Sequence, residues 1–107
     1  MNDLLFAYGT LREEKIRFAI TGKKSFTLTD RIVGFELSEI QEGVTSYPAL
    51  MPGNNTIDGL VFVVTDEDLV HLDAYEGPEY KRQQLVSQAG REVWVYLKND
   101  TPNKGIE

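Results

Sequence analysis

Two short segments, far apart in the chain, hold the residues best suited to chemistry. The first is Leu72-Asp73-Ala74-Tyr75-Glu76-Gly77, which closes a predicted helix. Glu76 falls four residues after Leu72 and seven after Leu69, so the three share one helical face. That face should be the buried one, where a carboxylate is costly unless it is protonated or hydrogen-bonded. The negative end of the helix dipole disfavours a second negative charge at the same place. Both effects raise the pKa and poise a single carboxyl for general acid/base work near neutral pH. The competing reading is a frayed last turn with Glu76 in water. Asp73 is the rival carboxylate, equally suited to capping or ion pairing, and Glu79 reads as a solvated loop residue.

The second segment is Phe6-Ala7-Tyr8-Gly9-Thr10-Leu11-Arg12, an apolar run that ends in a glycine turn. A glycine directly after a strand permits a turn at positive φ, with backbone N–H groups presented side by side to an anion. Thr10 adds a hydroxyl and Arg12 a charge. The spacing is neither that of a P-loop nor that of a dinucleotide site. Alone, the segment reads as readily as an ordinary strand-to-helix connection.

These groups need a scaffold. Residues 4–8 are predicted as a buried strand and 13–20 as a short helix, stopped at Gly22. Residues 25–29 and 31–40 are rich in β-branched and aromatic side chains and are predicted as strands, with Gly34 a bulge or close approach. Pro48, Pro52, Gly53, Asn54 and Asn55 make 47–55 a predicted loop, followed by a strand over 57–64. The clearest helix follows, capped by Thr65 or Asp66 and ended by Gly77-Pro78. Residues 80–88 and 91–98 form two strands around Ala89-Gly90. In the last one Val93, Val95 and Leu97 alternate with Glu92, Trp94 and Tyr96, so one face is aliphatic core and the other aromatic. Tyr80 and Arg82 share a face of the strand before it. Such aromatics suit a pocket wall, where a hydroxyl can hold a ligand, or equally a second core layer with a cation–π contact. The pattern is α+β, a curved sheet or small mixed β-barrel with flanking helices.

Composition narrows the chemistry. The chain has 107 residues, 41% of them hydrophobic, which fits one domain over 1–107 with a polar, loose tail from 99 onward. With no cysteine and one histidine, His71, thiolate catalysis, disulfides and cysteine or histidine-rich metal clusters are excluded. His71 reads as a surface residue. A net charge of −6 disfavours nucleic acid and anionic membranes as partners. The N-terminal apolar run is too short for a signal peptide or membrane span, so a cytoplasmic protein is expected.

Taken together, the segments resemble the γ-glutamylcyclotransferase-like family, including its AIG2-like and γ-glutamylamine cyclotransferase members. The match runs through Tyr8-Gly9-Thr10-Leu11-Arg12, Tyr47-Pro48-Ala49-Leu50, Pro52-Gly53, Gly59-Leu60-Val61-Phe62, Leu72-Asp73-Ala74-Tyr75-Glu76-Gly77, Tyr80-Lys81-Arg82 and the Trp94/Tyr96 strand. The resemblance implies a small mixed barrel with a pocket at one end, a catalytic glutamate at Glu76 and a substrate loop of Tyr8, Gly9, Thr10 and Leu11. Tyr80 and Tyr96 are expected as further pocket residues.

The implied reaction is cyclisation of a γ-glutamyl amino acid or γ-glutamylamine to 5-oxoproline with release of the amine. It needs no metal or organic cofactor, because the substrate carries its own nucleophile. The expected partner is a small γ-glutamyl molecule, and the expected assembly a monomer or weak homodimer. The alternative is a non-catalytic module on the same fold that binds a carboxylate-bearing metabolite.

Overall fold

The computed structural model describes residues 2–99. Its elements run β1 (Asn2–Ala7), a 3-10 turn (Thr10–Arg12), α1 (Glu14–Thr21), β2 (Thr27–Glu42), β3 (Thr45–Thr65), α2 (Asp66–Glu76), β4 (Tyr80–Val86) and β5 (Glu92–Lys98). One mixed sheet holds all the strands in the order β2-β3-β1-β5-β4, with β1 antiparallel to β3 and parallel to β5. Among the described residues, no helix is long and apolar enough to cross a membrane.

The sheet is curled, and side-chain alternation gives β1, β5 and the last part of β3 two buried faces. Leu5 and Ala7 of β1, Phe62 and Val64 of β3, and Tyr96 of β5 pack with Leu69 and Leu72 of α2. The intervening residues Phe6, Val61, Val93, Val95 and Leu97 pack on the other side with Ile32, Leu50 and Ile57. The hairpin turn after β4 reaches across to β2. There the Gln88 N–H donates to the Arg31 carbonyl at 2.7 Å. The buried Asp30 carboxylate meanwhile accepts from the Arg91 guanidinium at 2.8 Å and the Ala89 N–H at 3.3 Å. These bonds turn the curl into a half-barrel.

Three sequence expectations change. The strands expected at 25–29 and 31–40 merge into one, Thr27–Glu42, which leaves 25 and 26 outside it, because Asp30 finds partners and the ladder continues through it. The predicted loop at 47–55 is also strand. Pro48 and Pro52 sit four apart on β3, where β2 pairs on one side while β1 stops at Leu60. Both missing N–H groups therefore fall on one edge that the β1 ladder does not reach. The turn chemistry survives as a bulge, with Phe35 opposite both Pro52 and Asn55 and Gly34 at φ 92° beside it. Asn99, expected in the loose tail, donates from its backbone to the Glu79 carbonyl at 2.9 Å and from its side chain to the Pro78 carbonyl at 3.0 Å. The rest of that tail lies outside the described residues.

Helix α2 carries the expected caps. The Thr65 hydroxyl accepts from the Asp68 N–H at 3.0 Å, and the Asp68 carboxylate accepts from the Thr65 N–H at 2.9 Å. Gly77 ends the helix at φ 79°, donating to the Asp73 carbonyl. Thr65→Ala is expected to cost about 1 kcal/mol, read as a lowered midpoint in urea unfolding with an unchanged slope.

Candidate active site

A cleft of about 390 Å³ opens where the end of β1, the end of α2, β4, β5 and the β2–β3 hairpin meet. Every site residue expected from the sequence lines it: Tyr8, Gly9, Thr10, Leu11, Glu76, Tyr80 and Tyr96. Tyr75 and Glu79 line it too, as do Tyr47, Pro48 and Ile40 of the long hairpin. Glu79 was expected in water. It is half-buried instead, because Gly77-Pro78 turns tightly into β4 and the Tyr80 N–H bonds back to the Gly77 carbonyl. Tyr75 could have been found by its place beside Glu76. Tyr47 and Pro48 stood in the family match but carried no pocket role because their region read as loop, and Ile40 read only as strand.

Leu69 and Leu72 anchor α2 in the core and so aim Glu76 into the cleft. Burial, and then the nearby negative charge of Asp73, push the Glu76 carboxyl up to about 7. The rival carboxylate behaves differently. Asp73 is also opposed by burial, but hydrogen bonds from Arg82 and Tyr96 hold it below the usual carboxylate range. Arg82 grips it with two bonds of 2.9 and 3.0 Å while lying 4.2 Å over the Trp94 ring. Two carboxylates three residues apart are thus driven in opposite directions, one toward charge and one toward the acid.

The sign of the Glu76 shift sets a stability prediction. Its folded pKa of about 7 lies above its ordinary 4.5, so the folded protein binds this proton more tightly than the unfolded chain. That stabilisation is complete at low pH and is lost as pH rises through about 7. A neutral amide at this position avoids the loss. Glu76→Gln should therefore raise the melting temperature more at pH 8 than at pH 5, by about 2–3 kcal/mol of relative stability. Equal effects at both pH values would mean the carboxyl is not held out of water.

The tyrosines have committed their protons. Tyr8 donates to the Tyr96 carbonyl at 2.6 Å, Tyr80 to the Pro48 carbonyl at 2.6 Å, and Tyr96 to Asp73 Oδ1 at 2.7 Å. Each hydroxyl has one proton, so these three have only lone pairs left to offer. Burial first, then Tyr80 and Glu76, pushes the Tyr8 hydroxyl up; burial and the Asp73 bond do the same for Tyr96. Both stay neutral at physiological pH. Thr10 Oγ1 and the Tyr75 hydroxyl share one bond at 2.9 Å, which leaves one of their two protons free.

The glycine turn forms differently from expectation. Gly9 has φ −119°, so positive φ is not what requires a glycine here. Space is: a Cβ at Gly9 would lie 3.3 Å from Pro48 Cγ. The Arg12 N–H donates to the Gly9 carbonyl at 3.0 Å, which closes the 3-10 turn. As the first amides of that turn, those of Thr10 and Leu11 have no acceptor within it. Thr10 and Leu11, whose amides have no acceptor within the turn, thus line the same cleft as the tyrosine oxygens and the Glu76 and Glu79 carboxylates.

A family model described as "Gamma-glutamyl cyclotransferase, AIG2-like" matches residues 5–107. The chain belongs to this family. The γ-glutamylcyclotransferase family protein YtfP of Escherichia coli (strain K12) is 30% identical over 97 residues, spanning 87% of this chain and 80% of that protein. AIG2-like protein C of Arabidopsis thaliana is 30% identical over 108 residues, covering 92% of this chain and 62% of that one. A solved structure named "Gamma-glutamyl cyclotransferase" superposes with a TM-score of 0.75 at 19% identity, over 92% of this chain and 68% of that one. At that identity the likeness carries the fold alone. The family's fold and the cleft with Glu76 thus occur together in this chain.

Proposed function

We propose that the protein is a γ-glutamylcyclotransferase with Glu76 as its general acid/base. The observation that carries this reading is one carboxyl, poised at about 7, in a cleft lined by the 8–11 turn and by tyrosine hydroxyls. A γ-glutamyl group has the matching polarity, an α-carboxylate and an α-ammonium on one carbon. With the carboxylate on the amides of the 8–11 turn, the ammonium faces the tyrosine oxygens and Glu76.

Glu76 takes a proton from the α-ammonium, and the freed amine attacks the γ-carbonyl carbon. A new C–N bond closes a five-membered ring and the bond to the departing nitrogen breaks. Glu76 then gives its proton to that nitrogen, and the second proton that the ring nitrogen must lose passes through Glu76 to the released amine, so 5-oxoproline and an ammonium leave while the enzyme returns to its first state. Holding the chain folded for ring closure supplies much of the rate. The proton left over in the Thr10–Tyr75 pair meets the developing oxyanion. Tyr80 and Tyr96 serve as wall and acceptor, since their own protons are engaged elsewhere.

The test is 5-oxoproline release from a panel of γ-glutamyl amino acids and γ-glutamylamines. Release by the native protein that disappears in Glu76→Gln supports the reading. Binding of panel members without any release would replace it with a non-catalytic module.

A further inference from the structure

Among the described residues, three charged side chains are almost wholly buried: Arg17 at 4%, Asp30 at 8% and Asp68 at 4% exposure. Two of them have counter-ions. Asp30 meets Arg91 at 2.8 Å, and Asp68 meets Lys23 at 2.8 Å. Arg17 pairs with no carboxylate among the described residues. Its Nε donates to Ser25 Oγ at 2.9 Å, its Nη1 donates to the Leu11 carbonyl at 2.9 Å, and its guanidinium lies 5.4 Å from the centre of the Phe62 ring. These acceptors are neutral. A buried cation is tolerated when hydrogen-bonded, but without an anion its desolvation is only partly offset.

The place of this cation gives it a purpose. Arg17 sits on α1, directly behind the cleft turn, and holds that turn by the carbonyl of Leu11, its middle residue. We propose that Arg17 is a positioning residue for the cleft: it fixes the 8–11 turn, and its missing counter-charge is the carboxylate of a ligand seated on the amides of that turn. The inference rests on the γ-glutamyl reading of the cleft. It adds a residue that touches neither ligand nor solvent, and it makes recognition of the α-carboxylate electrostatic as well as geometric. The fork that bridges Ser25 and Leu11 requires arginine, while the charge alone requires only a cation.

The experiment uses two probes of the same shape, L-glutamine (the γ-glutamyl amide of ammonia) and its α-carboxamide, in which an NH2 replaces one carboxylate oxygen and removes the negative charge. Binding is measured by calorimetry in the Glu76→Gln background, where turnover does not interfere. For a charge one residue away, at an effective dielectric of about 20, Arg17→Gln should weaken the acid roughly tenfold and leave the α-carboxamide within about twofold. Arg17→Lys should keep most of the preference for the acid, and it serves as the deciding variant if Arg17→Gln does not fold. Equal weakening of both probes would make Arg17 a structural brace and overturn the proposal. So would unchanged binding of both, loss of the preference in the lysine variant, or failure of the parent to bind the acid. Release of 5-oxoproline by native protein is scored separately. A charge-dependent Arg17 effect with no release would sink the cyclisation reading and leave this inference standing.

Discussion

Glu76→Gln is expected to reduce turnover of a γ-glutamyl substrate by about 10²- to 10⁴-fold, the usual contribution of a positioned acid/base group. Substrate binding and folding should survive, because the amide fills the same volume and Leu69 and Leu72 still anchor the helix. In the native protein, kcat/KM should fall about tenfold per pH unit below about 7, since the base must begin ionised. Asp73→Asn removes the nearby negative charge but not the burial, which is the larger cause of the shift. That variant should move the acid limb down only part of the way toward an ordinary carboxylate. A Glu76→Gln protein within tenfold of native would remove Glu76 from the chemistry. A limb that stayed in place in Asp73→Asn would mean that burial alone sets the pKa.

Gly59→Ala is expected to destabilise the fold severely. A Cβ at this position on β3 would lie 2.3 Å from the Ala7 carbonyl oxygen and 2.5 Å from Phe6 Cζ. The first contact is with backbone, so no rotamer change relieves it, and β1 must shift where it enters the 8–11 turn. Overpacking of this kind costs about 3 kcal/mol or more, equivalent to a fall of roughly 10–20 °C in Tm for a domain of this size. The same shift disturbs the turn, so any activity that survives should show a raised KM. Gly9→Ala is the informative comparison, because its Cβ would meet only Pro48 Cγ at 3.3 Å, and that ring can yield. A Gly59→Ala protein as stable as Gly9→Ala would show that the two strands can separate more easily than their packing implies.

Much of the scaffold was legible before the structure. The apolar spacing of α2, its cap at Thr65 and its stop at Gly77 reappear as expected, because each is a local preference that tertiary packing reinforces. The alternation of Val93, Val95 and Leu97 against Trp94 and Tyr96 likewise sorts into the two core layers. The hairpin region around Pro48 and Pro52 was misread for a tertiary reason. Proline excludes a residue from a fully paired strand, but local sequence does not reveal that β1 ends before this edge.

The sequence by itself determined the reactive carboxyl's candidates, the glycine turn and the order of elements that bring them near one another. It left Asp73 and Glu76 as rivals, since spacing places both on the same helix end. Only the tertiary structure separated them, by delivering Arg82 and Tyr96 from β4 and β5 to Asp73 and leaving Glu76 to the cleft. A pKa depends on burial and on charges brought from distant strands, and neither is encoded in the residues next to it. The same holds for Arg17. On α1 it reads as one more surface charge, and it becomes a buried cation behind the cleft only when Phe62 and Leu11 close around it.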